Sequence, residues 1–281
     1  MGIDTAAAQL VLLARNFSDL DASQGLIFGH QKNYIGPKLR RELGKNLHMS
    51  RQSLTQEYAD DFFKAAGIGN LDVLDISEYQ GATVIQDLNL KIPPTMQKYS
   101  LVIDIGTLEH VFNINQGLEN IKDFCVPGGF VLMLSPANNW LGHGFYQLSP
   151  ELLFRNFDES LGWEVKAMYL VRKNLFRVAW YEIIDPKVKE RRGNLHAKGP
   201  TYVGVIAKKR EAKTEAPPPQ QSDYVAVWDG PQVSRAGALY LRLPKSLRLI
   251  LDITLMAALR RYRSKLTRRH FHWRDDQLTL R

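Results

Sequence analysis

Cysteine is nearly absent from the sequence, since Cys125 is the single one among 281 residues. One thiol cannot form an intramolecular disulfide, and neither a cysteine-based zinc cluster nor a Cys-x-x-Cys redox pair can be built from it. We therefore expect a reducing, cytoplasmic compartment and no metal site.

Apolar runs long enough to span a bilayer are missing as well. The apolar stretch at residues 247–259 is interrupted by Arg248 and Asp252 and is too short to cross a membrane. Residues 6–14 are apolar too, but no basic segment precedes them, so we expect no secretory signal.

The charge is unevenly spread along the chain. The net charge is +8, and residues 242–274 contain ten Lys or Arg against one acid, Asp252. The basic character therefore belongs to the C-terminal segment, whereas the rest of the chain is close to neutral. Residues 213–223 contain three consecutive prolines and no large apolar residue, which indicates a linker before this segment.

Apolar runs alternate with helical patterns between Gln24 and Lys209. Strands are predicted at residues 25–29, 71–76, 82–85, 100–105, 130–134, 163–171 and 202–207. Helices are predicted at residues 55–66, at residues 118–124 and after Ser149-Pro150-Glu151. Glu109 and His110 are expected to begin the helix that contains residues 118–124. This alternation predicts a doubly wound α/β domain with a parallel sheet, whose ligands bind beyond the carboxyl ends of the strands.

The chain thus divides into four parts. We expect a helical segment at residues 1–23, the α/β domain at 24–209, the linker at 210–223 and a basic amphipathic extension at 224–281. Within the extension a helix is predicted from Pro244, and its apolar face consists of Leu247, Leu251, Leu255, Ala258 and Leu259.

Three segments carry a family resemblance. Residues 71–77 form an apolar strand with an acid at its end, and residues 84–89 contain a second such acid. Residues 99–111 end in Leu-Glu-His-Val, and Pro-Gly-Gly follows at residues 127–129. Together they resemble the class I S-adenosylmethionine-dependent methyltransferases of small molecules. The resemblance implies a Rossmann-like, mostly parallel sheet of about seven strands with an antiparallel closing strand.

The resemblance also implies S-adenosylmethionine as the cofactor. It assigns Asp75 to the ribose hydroxyls and Asp87 to the adenine amino group. By themselves, Asp75 could be a strand-end acid or a helix cap, and Asp87 could belong to an ordinary turn. Asp104, Gly106 and Glu109 would shape the site at the end of the fourth strand, where a glycine admits the close approach of a ligand.

Residues 136–147 follow the fifth strand and bring amides, an imidazole, a phenol and glycines to the rim of the expected pocket. Methyl transfer needs an aligned acceptor and, where the acceptor loses a proton, a base. We expect His143 to be this base, His110 to be the second candidate and Tyr146 to contact the acceptor. Alternatively, the aromatic residues pack the loop onto the sheet, His143 caps a turn and His110 is a packing residue.

The loop after the first strand departs from the family pattern. The family has an acid-x-Gly-x-Gly loop at this point, whereas Phe28-Gly29-His30-Gln31-Lys32 keeps one glycine. Gly29 and Gln31 are its candidate cofactor-binding residues. His30 and Gln31 either supply polar contacts in place of backbone amides or obstruct the site.

Two functions remain open. One is an enzyme that methylates a polar small molecule, such as a sugar or glycan precursor. The other is a non-catalytic, methyltransferase-like binding or scaffold protein that uses its basic extension. The extension could bind its own domain, a second copy in a homo-oligomer, or an anionic membrane surface. Binding to a membrane would involve residues 244–273 and would place the protein peripherally at the inner membrane face. We do not expect nucleic acid, because no RNA-binding motif accompanies the basic patch.

Overall fold

The computed structural model describes residues 2–173, 178–189, 199–211 and 218–222, with short stretches at 224–225, 244, 246–247, 268–269, 271–274 and 277–280. The helix predicted from Pro244 falls almost wholly outside the described residues, and with it most of the basic extension. In the described part of the chain, no helix combines the length and the apolar character needed to cross a bilayer.

The described strands and helices follow the chain in a regular succession. The strands are β1 (Gly2–Asp4), β2 (Gln24–Phe28), β3 (Lys32–Tyr34), β4 (Asn70–Asp75), β5 (Val84–Ile85), β6 (Tyr99–Ile105), β7 (Cys125–Asn138), β8 (Trp163–Lys173), β9 (Val178–Glu182), β10 (Thr201–Lys209), β11 (Arg268–Arg269), β12 (Phe271–Arg274) and β13 (Gln277–Leu280). The helices are α1 (Thr5–Ala14), α2 (Pro37–Asn46), α3 (Arg51–Thr55), α4 (Asp60–Ala65), α5 (Ile114–Phe124), α6 (Pro150–Asn156) and α7 (Pro186–Lys189).

Nine of these strands form one sheet in the order β11-β9-β8-β10-β7-β6-β2-β4-β5. The strands from β5 to β7 in this order run parallel to one another. β10 lies antiparallel between β7 and β8. The predicted doubly wound α/β sheet with an antiparallel closing strand is therefore confirmed, and β9 and β11 extend it beyond the seven strands expected.

The sheet is covered on both faces, as its sequence pattern requires. Successive residues of a strand point to opposite faces. In β2, Leu26 and Phe28 belong to one buried cluster together with α5 and α6, whereas Ile27 belongs to the other together with α1 and α4. Strands that bury both faces read as continuous apolar runs, which is why these strands could be located in the sequence.

The N-terminal helix is part of this core. Asp4 caps α1 by accepting a hydrogen bond from Ala7 N at 2.9 Å, and eight of the ten residues of α1 are buried. The hairpin of β12 and β13 packs on the same helix, where Leu278 is buried and its carbonyl accepts a hydrogen bond from Asn16 Nδ2 at 2.7 Å. This end of the extension therefore forms strands and contacts its own domain.

Two helix boundaries differ from the sequence-based expectation. The helix predicted from residue 55 begins at Asp60, after the separate short helix α3. The helix expected to start at Glu109 and His110 begins instead at Ile114, where Asn113 accepts a hydrogen bond from Gln116 N. Glu109 and His110 lie on a single 3₁₀ turn, Leu108–His110.

Candidate functional site

The site lies where the strand order reverses at the carboxyl edge of the sheet. β2 pairs with β4 on one side and with β6 on the other, so Phe28 lies level with both Leu74 and Asp104. The connections leave this point in opposite directions, which opens a crevice beyond the strand ends. Three loops border it: the β2 loop (residues 28–32), the β6 loop (residues 104–110) and the β7 loop (residues 139–147).

Asp104 is fully buried at the base of the β6 loop. Its Oδ1 accepts hydrogen bonds from the backbone amides of Thr107 at 3.0 Å and Leu108 at 3.3 Å. Its Oδ2 has no hydrogen-bond partner among the described residues. Burial raises the pKa of Asp104, and the amides of Thr107 and Leu108 offset only part of that shift.

Glu109 is the second buried carboxyl group of the β6 loop, and neither of its oxygens has a hydrogen-bond partner in the part of the chain that the structure describes. Burial, and after it the charge of Asp104, raises the pKa of Glu109. Gly106 has a φ of 81°, and a Cβ at this position would lie 3.3 Å from Glu109 Oε1. The glycine therefore permits both the turn and the approach of this carboxylate.

The β7 loop folds over Glu109. The backbone oxygen of Glu109 accepts a hydrogen bond from Phe145 N at 2.8 Å and a longer one from Tyr146 N at 3.3 Å. Gly144 packs so closely that a Cβ there would lie 2.7 Å from the same oxygen. This contact brings His143 Nε2 to 3.4 Å from Glu109 Oε1.

His110 completes a cluster with these two residues, which we call the Glu109 cluster (Glu109, His110 and His143). The two imidazole rings lie edge to face, with centroids 5.0 Å apart. Burial lowers the pKa of His110, and the neighbouring His143 lowers it further. A neutral imidazole near pH 7 can accept a proton, so the structure brings the two predicted base candidates together beside one buried carboxyl group.

Tyr146 lies on the same loop but uses its hydroxyl structurally. Tyr146 Oη donates a hydrogen bond to Phe112 O at 2.7 Å, which holds the β7 loop against the segment after the β6 loop. In this arrangement its hydroxyl proton is engaged by Phe112 O, and acceptor contact by Tyr146 stays a prediction.

The acids assigned to the nucleoside lie at the ends of β4 and β5. Asp75 is half-buried, and its Oδ1 accepts a hydrogen bond from Ile76 N at 2.7 Å. Asp87 accepts hydrogen bonds from the backbone and the side chain of Asn89, both at 2.8 Å, so it does build a turn. Asn89 in turn accepts from Asn113 N, which links this turn to the start of α5.

The β2 loop is held by its own polar groups. Gly29 N donates to Leu74 O at 2.7 Å, and Gly29 has a φ of 71°. Gln31 is buried, and its Nε2 donates to Phe28 O and to Gly29 O, each at 3.0 Å. Gln31 thus holds the loop through its amide nitrogen, while its Oε1 is buried without a hydrogen-bond partner among the described residues.

His30 connects the β2 loop to its surroundings. Its Nδ1 lies 2.8 Å from Gln80 O, its Nε2 lies 3.2 Å from the Asp60 carboxylate, and its ring stacks on Tyr58 with centroids 3.9 Å apart. Gln80 belongs to the turn that follows Asp75. His30 therefore ties the β2 loop to the β4 side of the crevice.

Two features of the site were not found by sequence reasoning. Tyr202 on β10 stacks near Trp140 with ring centroids 5.0 Å apart, and burial, followed by the charges of Asp4 and Glu109, raises the pKa of Tyr202. Exposed apolar side chains also follow the strand ends and the neighbouring loops: Ile76, Tyr79, Leu90, Phe112 and Phe145. Neither feature has a local sequence signature, because both depend on which loops meet.

The crevice has groups that fit S-adenosylmethionine on the nucleoside side. Asp75 offers its second carboxylate oxygen to ribose hydroxyls, and the exposed Ile76 next to it offers an apolar surface to a purine ring. At the other end, the missing Cβ of Gly106 leaves room beside Glu109. The β2 loop fits less simply, because the amide of its single glycine is already bonded to Leu74.

No protein-family model matches the sequence, and no curated protein matches it. Among solved structures, the chain is similar to the O-methyltransferase of a trans-AT PKS multienzyme of Brevibacillus brevis in complex with S-adenosyl-L-homocysteine, at 13% identity and a TM-score of 0.41, covering 72% of this chain and 71% of that chain. It is also similar to the N-methyltransferase NodS from Bradyrhizobium japonicum, at 12% identity and a TM-score of 0.42, covering 72% and 94%. TehB from Haemophilus influenzae gives 11% identity and a TM-score of 0.36, covering 70% and 60%. These TM-scores are all below 0.5, so the similarity by itself assigns no function to this chain.

Proposed function

We propose that the protein transfers a methyl group from S-adenosylmethionine to a polar small molecule. The observation that carries this proposal is that two different sets of side chains lie at the same point of the sheet, where the strand order reverses. A carboxylate that suits a ribose lies at the end of β4, and a buried carboxyl group with two imidazoles lies beyond β6. Nucleoside cofactors bind at such reversals in doubly wound sheets.

The Glu109 cluster supplies the acid-base chemistry. S-adenosylmethionine provides an electrophilic methyl group, so the acceptor needs alignment and a place for its proton. As the acceptor oxygen or nitrogen bonds to the methyl carbon, the carbon–sulfur bond breaks and the acceptor proton passes to an imidazole. His143 is our first candidate because its ring is partly exposed and lies beside Glu109, and His110 is the second.

The β7 loop positions the acceptor. Its hydrogen bonds to the Glu109 backbone fix the loop close to the base candidates, and Trp140 Nε1 donates to Thr201 O at 3.1 Å, which anchors its other end to β10. Polar groups held on a fixed loop suit an acceptor with hydroxyl or amino groups, such as a sugar or glycan precursor.

Calorimetric titration of the full chain with S-adenosylmethionine and S-adenosylhomocysteine tests the cofactor. Both ligands should bind, and Asp75→Ala should weaken both by at least tenfold, about 1.4 kcal/mol, because a charge-assisted hydrogen bond to the ribose is lost. Glu119→Ala, which removes an exposed carboxylate from α5, is the matched control and should leave the affinity unchanged. Equal affinity of the wild type and Asp75→Ala would refute the assignment.

A non-catalytic binding role is the second candidate, and the β2 loop favours it. This loop has one glycine, its amide is already bonded, and His30 ties it to Gln80. If neither ligand binds at high protein concentration, the fold persists without the cofactor, and a binding or scaffold function replaces methyl transfer.

A further inference from the structure

The Glu109 cluster contains a buried carboxyl group whose surroundings do not satisfy it. Glu109 is fully buried, and both of its oxygens lack hydrogen-bond partners within the described residues. A buried carboxylate is costly unless a cation or hydrogen-bond donors compensate it. His143 Nε2 lies 3.4 Å from Glu109 Oε1 and makes no hydrogen bond to it.

The geometry of the cluster suits a metal ion. One ligand atom each from Glu109, His110 and His143 lies within 4.8 Å of the others. Two atoms that bind one tetrahedral ion at about 2.1 Å are about 3.4 Å apart. The separation of Glu109 Oε1 and His143 Nε2 already equals this value. His110 is exposed, so its ring can turn to complete the set.

We infer that Glu109, His110 and His143 bind a divalent transition-metal ion, with Zn²⁺ as the representative species. Two imidazoles and one carboxylate form a ligand set typical of ions such as Zn²⁺ and Fe²⁺, whereas Mg²⁺ prefers oxygen ligands alone. Three protein ligands leave one position of a tetrahedral ion open. The expectation of no metal site rested on the single cysteine, and this set contains no cysteine.

Such an ion would change how the acceptor is activated. An oxygen bound at the open position loses its proton more easily, because the ion stabilises the resulting anion. The imidazoles would then be ligands rather than bases, and the acceptor class would narrow to molecules with a hydroxyl group that can reach the ion. Binding of the ion itself does not depend on methyl transfer.

Zinc titration of the full chain tests the inference without any cofactor. The protein is first treated with EDTA to remove bound metal, and the EDTA is then removed. We expect one tight site by calorimetry and one bound zinc by elemental analysis after dialysis. His110→Ala and His143→Ala should each weaken the tight site by at least tenfold. Both side chains are exposed, so the fold should tolerate their loss, which circular dichroism verifies.

The matched control is His48→Ala, which removes an exposed imidazole outside the cluster. It should bind zinc as the wild type does, and Mg²⁺ should bind the wild type at least tenfold more weakly than Zn²⁺. The inference is overturned if the wild type binds no zinc tightly, or if the tight site persists when His110 and His143 are both replaced. Because the titration contains no S-adenosylmethionine, its outcome is separate from that of the cofactor experiment.

Discussion

The β2 loop and the β6 loop border the same crevice but differ in how far their buried polar groups are hydrogen-bonded. In the β2 loop, Gln31 donates to two backbone carbonyls and the Gly29 amide is bonded to Leu74. In the β6 loop, three oxygens of Asp104 and Glu109 are buried without hydrogen-bond partners among the described residues. The β2 loop thus leaves one buried oxygen, Gln31 Oε1, without a partner among the described residues, whereas the β6 loop leaves three carboxyl oxygens that can bind a proton or an ion.

The largest effect on stability is expected for a substitution in the β7 loop, which folds over Glu109. Gly144 has a φ of 73°, and a Cβ there would lie 2.7 Å from Glu109 O. Gly144→Ala should therefore lower the free energy of unfolding by about 2–3 kcal/mol, because it combines backbone strain with a backbone clash. Urea denaturation measures this.

Gly142→Ala is the control on the same loop, since no atom lies within 4 Å of a Cβ at that position. It should change the free energy of unfolding by less than about 0.5 kcal/mol. Equal effects of the two substitutions would mean that Gly144 does not pack closely against the backbone of Glu109.

A smaller effect is expected in the β2 loop. Gln31→Ala leaves the carbonyls of Phe28 and Gly29 without the donor that now satisfies them. The free energy of unfolding should fall by about 1–2 kcal/mol. Gln52→Ala, at an exposed position of α3, should be nearly neutral in the same urea series. If Gln31→Ala is neutral as well, the hydrogen bonds of Gln31 do not stabilise the β2 loop, and the contrast between the two loops fails.

The last effect depends on pH and concerns the charge on Glu109. A carboxyl group whose pKa is raised by folding holds its proton more tightly in the folded state, so stability falls as the pH rises above the ordinary glutamic acid value of about 4.3. In EDTA-containing buffer, the melting temperature of the wild type should fall as the pH is raised towards and past neutrality. The melting temperature of Glu109→Gln should fall less over the same pH range. Parallel curves for the two proteins would contradict the raised pKa.

The fold could be predicted from the sequence wherever burial leaves a local pattern. The strands that carry Asp75 and Asp104 are rich in Val, Ile and Leu, so their positions and the acids at or near their ends can be read from the sequence. The sequence pattern does not predict β9, because the strand expected at residues 163–171 corresponds to β8 alone and β9 has only five residues. The start of α5 was placed too early, although Asn113 is a common helix cap.

The site was predictable only in part, because its contacts join distant segments. Glu109 and His110 were found through one motif, but their pairing with His143 depends on how the β7 loop folds back. The contacts of His30 with Asp60 and Gln80 likewise connect three segments that are distant in the sequence. No periodicity or spacing in a single sequence encodes such pairings.

A structure of the protein with S-adenosylhomocysteine tests most directly whether the two loops form one site. The proposal predicts the ribose hydroxyls at the carboxylate of Asp75 and the sulfur near Gly106, facing the Glu109 cluster. Binding at any other place, or no bound ligand at saturating concentration, would contradict it.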